Sequence, residues 1–302
     1  MTAKKHRYFL FYSTLLLLFW SIIESNRVVL AAKDALALCA RSLIPSLCAP
    51  LVLSGLLSAL STSVHLPGER VFSRIFRLPP QGLSAFLLGA LCGFPIGVKT
   101  AVELYEGDAY NKEECMCIAA LSANTGPAFA VAGIGIGFFH SARVGWCLYL
   151  IQIVSAVILG IFDAKKHPFP IVSVKNASNT SHFSLSDVLY RSSLSLLTIT
   201  GTVVFFGTLC ALPSAFLSNG ISAILAALLE VGNGAYRASA LPLISAIPLA
   251  AFSLSFSGVS VLSQNAAYLL PKQIPLAPIV YRKLLQGILG MGLALLLLPL
   301  LK

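Results

Sequence analysis

Charged residues are scarce in this chain. They make up 11% of its 302 residues, whereas a soluble domain carries about 25%. Only 11 residues are acidic against 21 Lys and Arg, so the formal net charge is +10, while 57% of the chain is hydrophobic and the mean hydropathy is +0.86. These proportions exclude a disordered chain, a disulfide-rich secreted module and a nucleic-acid binder, and they predict an integral membrane protein.

The motifs of common enzyme and metal sites are also absent. The chain contains no GxxxxGK[ST] phosphate-binding loop, no HExxH zinc motif and no GxSxG nucleophile elbow. Its five histidines are scattered without ligand spacing, and most of its seven cysteines lie inside apolar runs, where we interpret them as buried free thiols. We therefore expect no enzymatic activity, no cofactor and no bound metal.

Long apolar runs dominate the sequence. A helix needs about 20 apolar residues to cross a bilayer, and seven runs reach or approach that length: 8–24, 42–64, 115–139, 144–162, 189–212, 246–268 and 280–301. The first run resembles a signal peptide, but we expect a retained helix because the rest of the chain is itself apolar. The charged residues of 28–41 suggest an amphipathic interfacial helix.

Two more apolar segments, 82–104 and 219–240, are interrupted in their middles. The interruptions are GFPIGVK at 93–99 and EVGNG at 230–234. Because broken backbone is tolerated at membrane depth only where protein or a water-filled cavity satisfies it, both segments are interpreted as re-entrant hairpins. With the N-terminus in the cytoplasm, this assignment places most basic loop residues on the cytoplasmic side, as the positive-inside rule requires. These are Arg70, Arg74, Arg77, Lys165, Lys166, Arg282 and Lys283, whereas Arg143 and Lys302 fall outside.

The order of span, hairpin, broken span and span occurs twice along the chain. We therefore divide it into an N-terminal span and interfacial helix (1–40), a first repeat (41–162), a polar linker (163–188) and a second repeat (189–302). The predicted fold is an all-α polytopic membrane protein with about seven full spans, two re-entrant hairpins and two inverted repeats with discontinuous helices. This architecture is typical of secondary transporters, which bind substrate near the midplane between the repeats.

Polar residues in the interrupted segments and in the runs 115–139 and 246–268 are the candidate site, because polar groups at membrane depth are costly and therefore mark function. An unwound stretch around Gly258 would let the serines of 253–265 converge. Each has a simpler structural interpretation: Lys99 could pair with Glu103, the cluster at 121–129 could pack helices through small residues, and Glu230 could pair with Arg237. Glu230 is predicted to couple or gate transport. The predicted substrate-binding residues are Gly93, Phe94, Pro95, Gly97, Lys99, Ser122, Asn124, Thr125, Gly126, Asn233, Gly234, Ser255, Ser257, Gly258, Ser260 and Gln264.

Four motifs in order carry a family resemblance. GFPIGVK (93–99), SANTGPAFAVAGIGIGFF (122–139), LEVGNGAY (229–236) and SFSGVSVLSQ (255–264) resemble those of the YlbJ-type, SpoVV-like sporulation integral membrane proteins of the nucleoside-recognition or Gate domain family. The resemblance extends from about Arg41 to about Gly287. It departs at Gly232, where the family usually has Thr before Asn-Gly.

The resemblance implies a secondary-type transporter of a small organic anion in the bacterial cell membrane. By resemblance, the substrate is dipicolinic acid, which is moved from the mother cell across the outer forespore membrane towards the forespore. The partners of this transporter would be a small anionic substrate and the lipid bilayer. Whether the chain forms a homo-oligomer stays an open question. The alternatives are a permease for nucleosides or related small solutes, and a non-transporting sporulation scaffold or gate subunit.

Overall fold

The chain folds into helices and short connections throughout the part that the structure describes. The computed structural model describes residues 3–61, 66–166, 184–214 and 216–301, and these contain no β-strand. The α-helices are, in chain order, α1 (Ala3–Ile23), α2 (Ser25–Leu38), α3 (Ile44–Ser61), α4 (Glu69–Phe76), α5 (Gly82–Cys92), α6 (Ile96–Glu106), α7 (Lys112–Ser122), α8 (Gly137–Phe139), α9 (Ala142–Lys166), α10 (Leu185–Ser214), α11 (Asn219–Leu229), α12 (Val231–Ser239), α13 (Leu243–Phe256), α14 (Gly258–Leu269) and α15 (Ala277–Leu297). Two π-helical segments, Cys39–Leu43 and Ala128–Ile136, and two 3-10 turns, Leu270–Lys272 and Leu298–Leu301, complete the set.

Four helical stretches among the described residues are long and apolar enough to cross a membrane. They are Ala142–Lys165, Leu185–Ser214, Leu243–Lys272 and Ala277–Leu297. A bent pair near the N-terminus, Arg7–Ile23 and Ser25–Arg41, makes a fifth if its two helices count as one span. The all-helical membrane fold is therefore confirmed, whereas seven spans and an inverted symmetry stay predictions.

Apolar side chains lie on the outer surface of several of these helices. Tyr8, Phe9 and Phe11 are mostly exposed on α1, and Leu296 is mostly exposed on α15. An aqueous surface would not tolerate so large an apolar area, but the lipid of a bilayer does. The apolar side chains that the protein interior does not bury thus lie where a membrane would cover them.

The segment 28–41, for which an interfacial helix is predicted, contacts another helix, while its place at the membrane interface stays a prediction. The segment is helical, but α2 turns by 93° from α1 and packs along α10. Ala35 is buried there, and a Cβ on Gly207 of α10 would lie 3.4 Å from its Cβ. One face of α2 therefore contacts protein.

Both interrupted segments form helical hairpins, although their breaks are shorter than the sequence predicts. Hairpin 1 consists of α5 and α6 and breaks at 93–95, so that 96–99 is already helical. Hairpin 2 consists of α11 and α12 and breaks at Glu230 alone, so that 231–234 is helical. Pro95 is the N-cap residue of α6, and the Glu230 carboxylate caps α12, so each second arm begins directly after one of these residues.

Two longer elements are broken as well. The polar cluster of the third predicted span interrupts it at 123–127, between α7 and the π-helical segment Ala128–Ile136. The predicted unwinding near Gly258 is confirmed, since Ser257 and Gly258 have φ angles of 74° and 73° between α13 and α14. We refer to 123–127 as break 1 and to Ser257–Gly258 as break 2.

The linker predicted at 163–188 is partly helical at its ends. The last turn of α9 reaches Lys166, and α10 begins at Leu185. Residues 167–183, which make up most of the linker, lie outside the described residues.

Candidate functional site

The tip of hairpin 1 lies directly against break 1. A Cβ added to Gly93 would lie 2.6 Å from the backbone nitrogen of Gly126, and one added to Gly126 would lie 3.0 Å from the carbonyl carbon of Cys92. Gly93 also has a φ of 86°, a conformation that other residues rarely adopt. Both glycines therefore allow two interrupted backbones to touch.

The arms of hairpin 1 are equally close to the end of α7. A Cβ on Gly97 would clash with the carbonyl oxygen of Ser122 and lie 2.6 Å from the Cα of Gly89. Ser122 is fully buried in this contact, and its hydroxyl has no hydrogen-bond partner in the described part of the chain. Gly97 thus has a packing role, and Ser122 lies behind the hairpin tip.

Hairpin 2 repeats this arrangement with break 2. A Cβ on Gly258 would lie 3.0 Å from the carbonyl oxygen of Leu229 and 3.1 Å from the Cα of Glu230. One helical turn after the tip, a Cβ on Gly234 would clash with Ala227 and lie 2.5 Å from the Oγ of Ser253. The two halves therefore place the same kind of hairpin tip on the same kind of break.

Glu230 at the tip of hairpin 2 binds the N-terminus of its own second arm. It is 1% exposed, and its carboxylate accepts hydrogen bonds from the backbone N–H of Gly232 at 2.9 Å and of Asn233 at 2.6 Å. The side-chain amide of Asn233 donates a third at 2.8 Å. The ion pair with Arg237 that the sequence left open does not form, because Arg237 donates to Ser222 Oγ at 2.8 Å instead.

A cavity lies where both hairpin tips, break 1 and the start of α14 meet. We call it the central cavity. Seven of the predicted site residues line it: Gly93, Phe94, Thr125, Gly126, Glu230, Ser260 and Gln264. Its remaining walls are mostly apolar and come from hairpin 2, the two broken elements, α10 and the start of α3 with the turn before it. Glu230 is the one charged residue among the lining residues, all of which lie in the described part of the chain.

Several polar atoms at the central cavity have no partner in the protein. The hydroxyl groups of Thr125 and Ser260 and the Oε1 atom of Gln264 are buried without a hydrogen bond in the described structure. Buried polar groups are nearly always paired with protein or water, because an unpaired one costs about 1–3 kcal/mol. Unpaired groups around one cavity are therefore available to a polar ligand.

Half-helices also begin at this cavity. Gly93 and Phe94 lie just before Pro95, the N-cap of α6, Gly126 lies just before the N-cap of the Ala128–Ile136 segment, and Ser260 lies in the first turn of α14. None of these three helix starts has a side-chain cap, whereas α12 is capped by Glu230. Helix N-termini favour negative charge.

Lys283 is a buried residue that the sequence analysis assigned to a cytoplasmic loop. The structure contradicts that assignment, because Lys283 is 1% exposed and its Nζ donates to the carbonyl oxygen of Ala123 in break 1 at 2.5 Å. It also donates to Gln286 Oε1 at 2.7 Å. The neighbouring Arg282 pairs with Asp163 at 2.9 Å. The spacing of Lys283 and Gln286 on one face of an apolar helix is the sequence signal that could have revealed this pair.

Gln286 extends these contacts to the polar residues around break 1. Its Nε2 donates to Asn124 Oδ1 at 3.1 Å and to the carbonyl oxygen of Gln152 at 3.0 Å. Asn124 in turn donates to the carbonyl oxygen of Leu121 at 2.7 Å. Asn124 therefore supports break 1 from behind the cavity wall.

The other predicted site residues lie around the central cavity rather than on it. Ser255 contacts α15, because a Cβ added to Gly290 of that helix would clash with the Oγ of Ser255. The hydroxyl of Ser257 donates to the carbonyl oxygen of Leu254 at 3.1 Å. The residues behind the wall are Pro95, Gly97, Ser122, Asn124, Asn233, Gly234, Ser255, Ser257 and Gly258.

Lys99 lies apart from this group. Its Nζ is 3.7 Å from Glu103 Oε1, and it lines a separate small pocket with Pro95 and Ser192. Its predicted contact with substrate stays a prediction. No group of three His, Cys, Asp or Glu side chains that could hold a metal occurs among the described residues.

One curated protein resembles this chain over most of its length. The chain is 25% identical over 304 aligned residues, covering 85% of this chain and 74% of the relative, to the sporulation integral membrane protein YlbJ of Bacillus subtilis strain 168. No family model matches the chain, and no solved structure matches it. With the apolar helices described above, this similarity identifies the chain as an integral membrane protein.

Proposed function

We propose that this chain is a secondary-type membrane transporter whose substrate binds in the central cavity. The observation that supports it is the convergence of two hairpin tips, break 1 and the start of α14 on one cavity with unpaired polar groups. In the full proposal, the chain has seven spans and its two halves are inverted repeats that alternate access around this cavity. A scaffold would gain nothing from costly polar groups at that depth.

The proposed substrate is a small organic anion. Three uncapped half-helix N-termini at the cavity would attract carboxylate groups, and the hydroxyls of Thr125 and Ser260 can donate to them. The rings of Phe94 and Phe129 offer apolar walls to a planar molecule. Because the relative YlbJ is named a sporulation protein, we propose dipicolinic acid, a planar aromatic dicarboxylate, moved from mother cell towards forespore.

The carboxylate of Glu230 sets a condition on such a substrate. A second carboxylate close to it is disfavoured unless a proton or a cation lies between them. We therefore propose that the anion enters together with a proton or a small cation, which makes Glu230 the coupling residue.

A nucleoside is the second candidate substrate. The carboxylate of Glu230 and the unpaired Oε1 of Gln264 are hydrogen-bond acceptors, and the hydroxyls of a ribose are donors. A neutral ligand would also need no counter-charge beside Glu230.

Uptake into proteoliposomes that contain this chain alone tests the proposal. Dipicolinate and a nucleoside are offered in parallel, and we expect saturable dipicolinate uptake that falls in Thr125→Val and Ser260→Ala. The control is Ser263→Ala on the same helix, because the Ser263 hydroxyl donates to the carbonyl oxygen of Ser260 and its side chain faces outwards. If only the nucleoside is taken up, the proposed substrate changes from dipicolinate to a nucleoside. If neither compound is taken up, the result supports a scaffold or a gate subunit.

A further inference from the structure

Lys283 places its amino group inside the protein without an acidic partner. Its two hydrogen-bond acceptors are the carbonyl oxygen of Ala123 and the amide oxygen of Gln286, and both are neutral groups. No carboxylate in the described part of the chain forms an ion pair with it. Burying an unpaired charge is expensive, so such a residue inside a membrane protein marks a function.

The place of the ammonium group is one that suits a cation. Ala123 is the C-terminal cap of α7, and the backbone after it is unwound as far as Pro127. The end of a helix carries a partial negative charge on its free carbonyl groups. In transporters with broken helices, such carbonyls and helix ends bind the coupling cation.

The ammonium group also connects the two halves of the chain. Lys283 and Gln286 belong to α15 in the second half, whereas Ala123 and Asn124 belong to break 1 in the first. The contacts continue to the central cavity, because the amide of Gln152 lies 3.5 Å from the carbonyl oxygen of Thr125, which lines it. A charge at Lys283 therefore fixes the backbone that forms one wall of the cavity.

We propose that Lys283 is a tethered cation that occupies the position of a diffusible coupling ion at break 1. Its ammonium group neutralises the end of α7 and keeps break 1 in its cavity-lining conformation. It acts on substrate through break 1, as a positioning residue. For transport, the inference rests on the proposed function, and it implies that break 1 requires neither sodium nor potassium.

Rescue by ammonium tests the tethered cation without any transport assay. The Lys283→Ala variant leaves room for a small cation, so its melting temperature in detergent should fall by ~5 °C or more because the buried acceptors lose their partner. Ammonium chloride should restore most of that loss, whereas choline chloride at the same concentration should not. The matched control is Lys272→Ala, because Lys272 pairs with Glu106 on the surface, and its melting temperature should be equal in both salts.

A second variant keeps the test decisive if Lys283→Ala does not fold. Lys283→Met fills the same space without charge, so it should be destabilised and should not respond to ammonium. A Lys283→Met protein as stable and as active as the unchanged protein would overturn the proposal. So would a Lys283→Ala protein whose melting temperature is equal in ammonium and choline.

Uptake gives the functional arm of the experiment. With ammonium chloride in place of choline chloride, uptake by the unchanged protein should stay unaltered, whereas Lys283→Ala should lose about tenfold or more in choline and regain uptake with ammonium. A Lys283→Ala protein whose lost uptake does not return with ammonium would overturn the replacement of a diffusible ion. If the unchanged protein transports nothing, the proposed function fails, while the melting temperatures still decide whether Lys283 is a tethered cation.

Discussion

Among single residues, Glu230 combines two roles that mutations can separate. Its carboxylate caps α12 by accepting two backbone N–H groups, and it also lines the central cavity. Glu230→Ala should lower the free energy of unfolding by about 1–2 kcal/mol, as expected for a lost N-cap, and should abolish uptake. Glu230→Gln keeps one acceptor oxygen for the cap, so we expect a smaller loss of stability but a similar loss of uptake.

Thermal unfolding in detergent and uptake of the same preparations measure these two effects. Glu106→Ala serves as the control, since Glu106 lies on the surface and pairs with Lys272. Equal stability of Glu230→Ala and the unchanged protein would contradict the capping role. Unaltered uptake by Glu230→Gln, with the same dependence on pH and sodium, would contradict the coupling role.

Gly93 is the residue at which the addition of a single methyl group should have the largest effect on stability and uptake. Gly93→Ala introduces a Cβ 2.6 Å from the Gly126 nitrogen at a φ of 86°, so hairpin 1 must move away from break 1. We expect a loss of stability of more than ~1 kcal/mol and loss of uptake. The control, Gly292→Ala, places a Cβ where no heavy atom lies within 4 Å, so its stability should be equal or higher.

Residue type and the energetic cost of polar groups at membrane depth identify site residues such as Glu230 and Gly93 better than they identify functional lysines. An acidic residue or a glycine between two apolar segments stands out in the sequence, and both residues lie on the central cavity. Lys99 and Lys283 both occur in apolar segments, but Lys99 pairs with Glu103 near the surface, whereas Lys283 is buried against Ala123. The packing of α15 on α7 and α9 distinguishes them, and the only local sign of that packing is the spacing of Lys283 and Gln286 on one face of α15.

The breaks in the helices were predictable elements, because clusters of glycine, proline and polar residues disfavour a continuous helix, whereas the single Pro213 and Pro248 lie inside α10 and α13. Both hairpins and both breaks occur where the sequence indicates them. Their lengths were not predictable, since they depend on which groups satisfy the freed backbone. Glu230 caps α12 with its own carboxylate, so hairpin 2 needs a break of a single residue.

Two serines on neighbouring elements should respond to substitution in opposite ways. Ser253 on α13 donates to the carbonyl oxygen of Val231 at 3.1 Å, whereas the Ser260 hydroxyl on α14 has no partner in the described structure. Ser253→Ala should therefore lower stability by about 1 kcal/mol. Ser260→Ala should leave stability equal or slightly higher but raise the KM for uptake. Thermal unfolding and uptake kinetics measure both, and a destabilised Ser260→Ala with unaltered KM would contradict the role of Ser260 as a ligand contact.

For the whole molecule, the length of α9 determines which charges share a side of the membrane. Its 25 residues span about 37 Å, more than the hydrocarbon core, so we expect Arg143 and Lys165 on opposite sides of the membrane. The helix α4 packs beside the second end, where Gly160 faces the ring of Phe76. Arg74 should therefore lie on the same side as Lys165.

Cysteine labelling measures this topology. In a background without the seven native cysteines, Arg74→Cys and Lys165→Cys should react with an impermeant reagent from the cytoplasmic side, and Arg143→Cys only from the opposite side. Labelling of Arg74→Cys and Lys165→Cys from different sides would contradict the arrangement of α4 and α9. Labelling of all three from the reverse sides would overturn the predicted orientation.

The contact between Ala123 and Lys283 has a consequence for the biosynthesis of the protein. Chain elongation produces break 1 long before α15, and the carbonyl oxygen of Ala123 and the amide of Asn124 receive hydrogen bonds from Lys283 and Gln286 of that last long helix. During synthesis the first half must therefore wait in the membrane with these groups unpaired. A nascent chain that stops before α15 would keep these polar groups without the partners that the complete chain provides.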